Sequence, residues 1–183
     1  YMAIDNNGVP YVVYGNSVKK YTGANWTDVG IATGPIALDD NGNLYASGGT
    51  RKLTDAGWVD LGTPYGFSEG SVYYISVAVD DNGTPYTVYQ DQGNSEKATV
   101  RKFYKGKWVY VGSDAGFSDD TAWYTSIAIR NNGVPLVVYQ DKATGKKATV
   151  RKFSAGSWRN VGSPGFSAGE ASYTSIVVDN ESI

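Results

Sequence analysis

Short apolar runs alternate along the chain with clusters of turn-forming residues. Ser126-Ile127-Ala128-Ile129 leads into Arg130-Asn131-Asn132-Gly133, and Val134-Pro135-Leu136-Val137-Val138-Tyr139 follows. Asn-Gly tolerates positive φ at little cost and is a strong short-range hairpin signal, so the spacing predicts two antiparallel strands about this turn. The same succession occurs at Ser76-Val77-Ala78-Val79 before Asp80-Asp81-Asn82-Gly83, and at Pro35-Ile36-Ala37-Leu38 before Asp39-Asp40-Asn41-Gly42. It also occurs around Asp5-Asn6-Asn7-Gly8. Pro10, Pro85 and Pro135 fall at the start of the second strand, where a missing N–H does least harm to a ladder. A third strand, Thr149 to Phe153, alternates Val150 and Lys152 with Thr149, Arg151 and Phe153, and is expected to leave its Lys and Arg largely in solvent. A fourth carries Trp158 and ends at Gly162. Glycine and Asn/Asp turns interrupt every window of helical length, which predicts no helix.

These strands belong to repeats. Lys97-Ala98-Thr99-Val100-Arg101-Lys102-Phe103 returns unchanged as Lys147-Ala148-Thr149-Val150-Arg151-Lys152-Phe153, with Val-Tyr-Gln-Asp before each copy and Gly-x-Trp-x-x-Val-Gly after it. The turn glycines Gly8, Gly42, Gly83 and Gly133 are 34, 41 and 50 residues apart, and Trp26, Trp58, Trp108 and Trp158 follow at intervals of 32, 50 and 50. Four short strands per period, with polarity rising from the first to the fourth, predict an all-β fold of β-propeller blades. In that fold the innermost strand is crowded on both faces and the outermost is wet. The units are approximately 1–34, 35–72, 73–122 and 123–171, with a partial fifth at 172–183, in one array. Ala3, Ala37, Ala78 and Ala128 would let neighbouring blades approach near the axis. The fifth unit supplies only a surplus innermost strand, Tyr173 to Asp179. Strand accounting therefore implies a segment of a larger propeller, or pairing of the surplus strand with another copy; four self-closing blades are the alternative.

Ile36-Ala37-Leu38-Asp39-Asp40-Asn41-Gly42-Asn43-Leu44-Tyr45-Ala46, followed by Arg51-Lys52-Leu53, resembles NHL-type and related bacterial β-propeller repeats. Units three and four look like longer blades of bacterial surface or secreted arrays. The resemblance covers nearly the whole chain and implies a fold; families of this kind serve as protein-binding, glycan-binding, scaffold and enzyme-associated modules, so it carries no activity with it.

The 183 residues include 23 Gly and 15 Tyr and no Cys or His. That removes disulfides, Cys/His metal sites and every histidine general base. No apolar run approaches membrane-spanning length, and no membrane insertion is expected. The chain begins at Tyr1, and is expected to be a mature or trimmed piece of something longer. The formal net charge of −2 divides into −6 for residues 1–92 and +4 for residues 93–183. Lys and Arg in the second half fall mainly on one strand per repeat, the pattern of a solvated outer strand, so nucleic acid is not an expected partner. The Asp/Asn turns lack the spacing of a calcium loop, and turn chemistry accounts for them; no metal or cofactor is expected.

The candidate chemistry lies in an insert between the fourth strand and the next unit. Gly66-Phe67-Ser68, Gly116-Phe117-Ser118 and Gly165-Phe166-Ser167 lead into Tyr73-Tyr74, Trp123-Tyr124 and Ser172-Tyr173. Aromatic rings stack on sugar faces, and Glu69, Asp119, Asp120 and Glu170 nearby would accept hydroxyl hydrogen bonds. Trp123 is the aromatic expected to be exposed, because Tyr73 and Ser172 occupy its equivalents. The competing reading places the phenylalanines and tyrosines between blades as core, which their regular recurrence favours. Gln90-Asp91 and Gln140-Asp141 are either rim contacts or groups that satisfy edge backbone; the second is preferred. No pair of carboxylates stands out for glycoside hydrolysis, and the chain is not expected to be an enzyme. The expectation is a non-catalytic binding or structural module, extracellular or on a cell surface, with a protein or glycan partner. A carbohydrate-binding lectin-like propeller is the alternative, and a glycosidase-type propeller a distant one.

Overall fold

The computed structural model describes residues 1–47, 50–62, 68, 70–113 and 115–179. Among the described residues, sixteen strands form four antiparallel sheets, each in sequence order, arranged as the four blades of a β-propeller. Blade 1 contains β1 (Met2–Ile4), β2 (Pro10–Tyr14), β3 (Ser17–Tyr21) and β4 (Trp26–Ile31). Blade 2 contains β5 (Ile36–Leu38), β6 (Leu44–Ala46), β7 (Arg51–Thr54) and β8 (Gly57–Asp60). Blade 3 contains β9 (Val72–Val79), β10 (Pro85–Asp91), β11 (Lys97–Tyr104) and β12 (Lys107–Tyr110). Blade 4 contains β13 (Ala122–Ile129), β14 (Pro135–Asp141), β15 (Lys147–Ser154) and β16 (Ser157–Asn160).

The Asp-x-x-Gly turns are built as their composition requires. Asp39 Oδ1 accepts from the N–H groups of Asn41 (3.0 Å) and Asn43 (2.8 Å), and Asp80 Oδ1 from those of Asn82 (3.0 Å) and Thr84 (2.8 Å). Their second oxygens accept from the hydroxyls of Tyr45 (3.2 Å) and Tyr86 (3.4 Å). The turn thereby ties itself to the second strand of its blade. Two single 3₁₀ turns, Gln92–Asn94 and Lys142–Thr144, occupy the long loops where no helix was expected. Asp91 and Asp141 cap them, accepting from Gly93 N and Ala143 N (3.1 Å each), and also accept from the hydroxyls of Thr99 (3.2 Å) and Thr149 (2.8 Å). The aspartate of each Gln-Asp pair thus satisfies backbone, as preferred for the pairs, whereas Gln140 lines a cavity.

The innermost strands of blades 3 and 4 begin earlier than the sequence pattern predicts. Val72 pairs with Asp91 and Tyr73 with Gln90; Ser76 then pairs with Val88, so Tyr74 and Ile75 together oppose Tyr89. Blade 4 repeats this bulge with Tyr124 and Thr125 opposite Tyr139. The extra residue lets the strand continue past the predicted start and places Tyr73-Tyr74 and Trp123-Tyr124 inside strands rather than in loops.

Blades are locked together by their tryptophans. Trp108 Nε1 donates to Leu61 O (2.6 Å) in the preceding blade, and Trp158 Nε1 to Val111 O (2.8 Å). Each indole sits over the glycine that follows the accepting carbonyl: a Cβ on Gly62 would lie 2.9 Å from Trp108 Cδ1, and Gly112 adopts φ +120° beneath Trp158. Phe117 stacks on Trp158 with centroids 4.1 Å apart and planes 14° from parallel. The core between blades 3 and 4 collects Tyr86, Val88, Val100, Val111, Ile127, Val137 and Tyr139; blades 1 and 2 have their own around Val18, Ile36 and Leu44. The third strand departs from its predicted solvation at Arg151, which is buried at 8% exposure. Its guanidinium bridges blades, donating to Phe117 O (2.6 Å), Asp119 Oδ2 (2.5 Å) and Asn160 Oδ1 (2.9 Å). Three good acceptors offset the cost of desolvating the cation.

The surplus segment is present but makes no ladder. Thr174 Oγ1 donates to Tyr124 O and Ile176 N to Ser126 Oγ (3.3 Å), repeating the contacts of Thr125 with Tyr74 O and of Ile127 N with Ser76 Oγ (3.4 Å). Residues 173–178 therefore lie on β13 as β13 lies on β9, in the place of an extra innermost strand.

Two outcomes test this packing. Trp158→Phe keeps the ring but leaves the buried Val111 carbonyl without its donor, so unfolding should become easier by about 1–3 kcal/mol; an unchanged urea midpoint would refute the lock. Burial, reinforced by Asp80, pushes the Tyr86 hydroxyl up to about 12, and burial also raises Tyr45, Tyr89 and Tyr139. Folded pKa values above the unfolded value of about 10 mean that the stabilisation is complete below pH 10 and is lost as pH rises towards 12. Thermal midpoints followed across that window should fall, while ultraviolet absorbance shows delayed tyrosinate formation.

Candidate functional site

The bulges make the site. Tyr74, Tyr124 and Tyr173 have φ of +49°, +51° and +54°, a left-handed conformation that costs a non-glycine residue about 1–3 kcal/mol and persists only where the surroundings enforce it. Enforcement comes from the neighbouring threonines, since the carbonyls of Tyr74 and Tyr124 accept the hydroxyls of Thr125 and Thr174. The result is a ladder of rings, Tyr74–Tyr124 at 4.8 Å and Tyr124–Tyr173 at 4.9 Å between centroids, all tilted. One side of the ladder faces an axial cavity of about 530 Å³ lined also by Met2, Ile36, Val77 and Ile176.

On the other side, Trp123, Tyr74 and Tyr124 meet Gln140, Lys146, Glu170 and Ser172 around a second cavity of about 220 Å³. Trp123 and Gln140 are directly opposed on β13 and β14, which fixes both to the rigid sheet. Gln140 is 5% exposed, and its carboxamide has no hydrogen-bonding partner among the described residues. Lys146 Nζ and Glu170 Oε1 stand 3.6 Å apart at the partly exposed rim. An aromatic wall, a pre-placed amide and a donor–acceptor pair thus converge on a space of roughly one sugar ring.

Of the residues expected from sequence, Trp123, Tyr124 and Tyr74 come together here. Trp123 was expected to be the exposed aromatic, but it is half-buried, whereas Tyr73 is 54% exposed. Pairing across from the buried Gln140 holds the indole against the sheet. Tyr73 does not line this cavity. Asp119 and Asp120, expected to accept ligand hydroxyls, are engaged elsewhere. Asp119 takes the Arg151 guanidinium, and Asp120 accepts from Thr121 N (2.7 Å) and pairs with Lys142 (3.5 Å), contacts that hold its carboxyl below the usual range. Glu69 and Phe67 lie outside the described residues. Two of the Gly-Phe-Ser inserts are sewn to a third strand, Ala98 N donating to Ser118 Oγ (2.9 Å) and Ala148 N to Ser167 Oγ (3.0 Å); Phe117 packs between blades as the competing reading expects, whereas Phe166 is 60% exposed. Lys146 was not anticipated. Its signal was its departure from the repeat, since Glu96 stands at the matching position.

No family model matches the chain, and no curated protein does either. Solved structures do. TolB from Acinetobacter baumannii superposes with a TM-score of 0.60 at 7% identity, covering 89% of this chain and 43% of that one. The SapL1 lectin in complex with alpha methyl fucoside gives 0.53 at 16%, covering 90% and 62%. The Aleuria aurantia lectin N224Q mutant in complex with Fucalpha1-6GlcNAc gives 0.52 at 15%, covering 95% and 65%. The chain spans less than two thirds of each of these proteins, and at such identities the likeness is one of fold: a β-propeller.

Proposed function

We propose that this chain is a non-catalytic, carbohydrate-binding module of lectin type, which takes one sugar residue in the cavity walled by Trp123. The observation that carries the reading is the convergence of Trp123, Tyr124, Gln140, Lys146 and Glu170 on one cavity of about 220 Å³, with Gln140 fixed opposite Trp123 by the strand register. The Gln140 amide offers a donor and an acceptor to a ligand hydroxyl. Trp123 and Tyr124 supply apolar area for the face of a pyranose, and Lys146 with Glu170 supplies a donor and an acceptor for adjacent hydroxyls. The two fucoside-bound lectins among the similar solved structures support a sugar as the ligand. Among the described residues Glu170 is the one carboxylate lining the cavity, which favours binding over the paired-acid chemistry of glycoside hydrolysis. An extracellular or surface location accords with a glycan ligand.

A glycan array followed by calorimetry tests the proposal, with α-methyl fucoside and other neutral and acidic monosaccharides as probes. Trp123→Ala and Lys146→Met should each weaken the best ligand by about tenfold or more, the equivalent of one lost contact of about 1.4 kcal/mol. Asp119→Asn should leave affinity unchanged while lowering the unfolding midpoint, because it loosens the Arg151 bridge between blades. A chain that retains no glycan, or a Trp123→Ala variant that binds like the parent, would sink the reading.

A further inference from the structure

Every junction between successive blades is made from the same two halves. The following blade contributes an indole: Trp58, Trp108 or Trp158. The preceding blade contributes a glycine beneath it, Gly30, Gly62 or Gly112, and at the last two junctions the carbonyl that accepts its N–H. Phe117 adds a stacked ring at the last junction. Both halves also occur unmatched. Trp26, the equivalent indole of blade 1, is 47% exposed, and its Nε1 has no hydrogen-bonding partner among the described residues. Tyr14 and Ile31 on the same blade are exposed at 79% and 70%. On blade 4, Val161, Gly162 and Phe166 repeat Val111, Gly112 and Phe117, and Phe166 is 60% exposed where Phe117 is half-buried under Trp158. The internal junctions show what fits such a notch: a blade of this same kind.

We propose that two copies of this chain join head to tail, blade 1 of the second copy docking on blade 4 of the first. Trp26 of the second copy enters the Val161–Gly162–Phe166 notch, with its indole N–H directed at the Val161 carbonyl. The two surfaces differ, so the contact is heterologous, and further copies add as concentration rises. One position at this junction is contested, because residues 173–178 of the first copy lie where the innermost strand of the docked blade belongs. The sequence resolves the conflict: Ile176-Val177-Val178-Asp179-Asn180 matches Met2-Ala3-Ile4-Asp5-Asn6 in pattern. The segment therefore replaces β1 of the second copy and pairs with its β2. From the observed pairs Met2↔Val12, Ala3↔Tyr11 and Ile4↔Pro10, the new register is Ile176↔Val12, Val177↔Tyr11 and Val178↔Pro10. β1 is a weak competitor. It is three residues long, with Met2 and Ile4 exposed at 64% and 57%, whereas the segment is held to its own blade through Thr174 and Ile176.

Absence of cysteine makes the register directly testable. Directly opposed strand residues have Cα atoms about 4.5–5.5 Å apart, within disulfide reach. Mixing Val177→Cys protein with Tyr11→Cys protein under mild oxidation should give a covalent dimer, and mixing Val177→Cys with Ser163→Cys should not. Sedimentation velocity of the parent chain should show mass rising with concentration, and Trp26→Ala, its fold checked by the unfolding midpoint because the ring also packs on Tyr21 (5.5 Å), should weaken association by about tenfold. Removing residues 1–6 should strengthen association by vacating the contested position, and removing residues 172–183 should abolish it. A monomer at every concentration up to the solubility limit overturns the proposal; so does a mixed disulfide no more abundant than the control, or an association that Trp26→Ala leaves untouched.

Discussion

The close approach of an indole to a glycine backbone is the contact on which the remaining architecture depends. A four-stranded sheet has two apolar faces and cannot cover either by itself, so each blade is stable only against its neighbours. Trp108 and Trp158 achieve this near the outer strands, where successive blades diverge and a large side chain is needed to span the gap. The glycine is what allows a donor on the ring to reach a backbone carbonyl instead of resting on a Cβ. Any side chain at Gly62 would collide with Trp108, and its φ of +108° is one that L residues rarely adopt. Space and backbone conformation thus select the same residue. Arg151 reinforces the last junction with charge, drawing Phe117 O and Asp119 of blade 3 onto Asn160 of blade 4.

Once the blades are locked at this spacing, their innermost strands lie side by side, and the bulges at Tyr74 and Tyr124 acquire a purpose. A regular strand would give Tyr74 and Tyr124 an extended φ and set their rings on the face opposite Tyr73 and Trp123. The extra residue and the left-handed φ turn them into line, and the threonine of the next blade fixes the carbonyl that the bulge frees. Strain at one residue is thereby held by contacts from another blade. The same bulge resets the register so that Trp123 faces Gln140 across the ladder, which is why the aromatic wall and the amide fall together.

Much of the fold was legible because it is written in repetition. The Asn-Gly turns, the tryptophan spacing and the apolar runs each identify a strand through local chemistry, and their recurrence fixes the number of strands per blade. The site was only partly legible. Trp123, Tyr124 and Tyr74 could be singled out as aromatic residues in a variable stretch, but a bulge has no sequence signature that separates Tyr-Thr-Ser in a strand from the same residues in a loop. Asp119 and Asp120 illustrate the converse difficulty. Acidic residues beside aromatics suggest ligand acceptors, and only the three-dimensional path of Arg151, 32 positions away from Asp119, shows that one of them is already neutralised. Arg151 itself was read as a solvated strand residue, since alternation along one strand does not reveal that the next blade buries it.

Departures from the repeat carry more information about function than the repeat does. Blades 3 and 4 share nearly all their packing residues, yet Lys146 replaces Glu96, and Ser172 stands where the equivalent residue on β13 is Trp123. Backbone bonds establish the equivalence: Ala122 N donates to Glu96 O, as Ala171 N does to Lys146 O, at 3.0 and 2.9 Å. At blade 3 the place corresponding to Ser172 is therefore occupied by an indole, while at blade 4 a small hydroxyl leaves room. The open cavity depends on residues 170–172, part of the segment that the first copy would lend to a second in a head-to-tail pair. Lending it does not disturb the site, because Thr174 and Ile176 remain bonded to β13 and hold Glu170 and Ser172 where they are. The pairing with β2 begins beyond them, at Ile176. Assembly and sugar binding would thus use successive stretches of the same segment, with Tyr173 at the boundary between them.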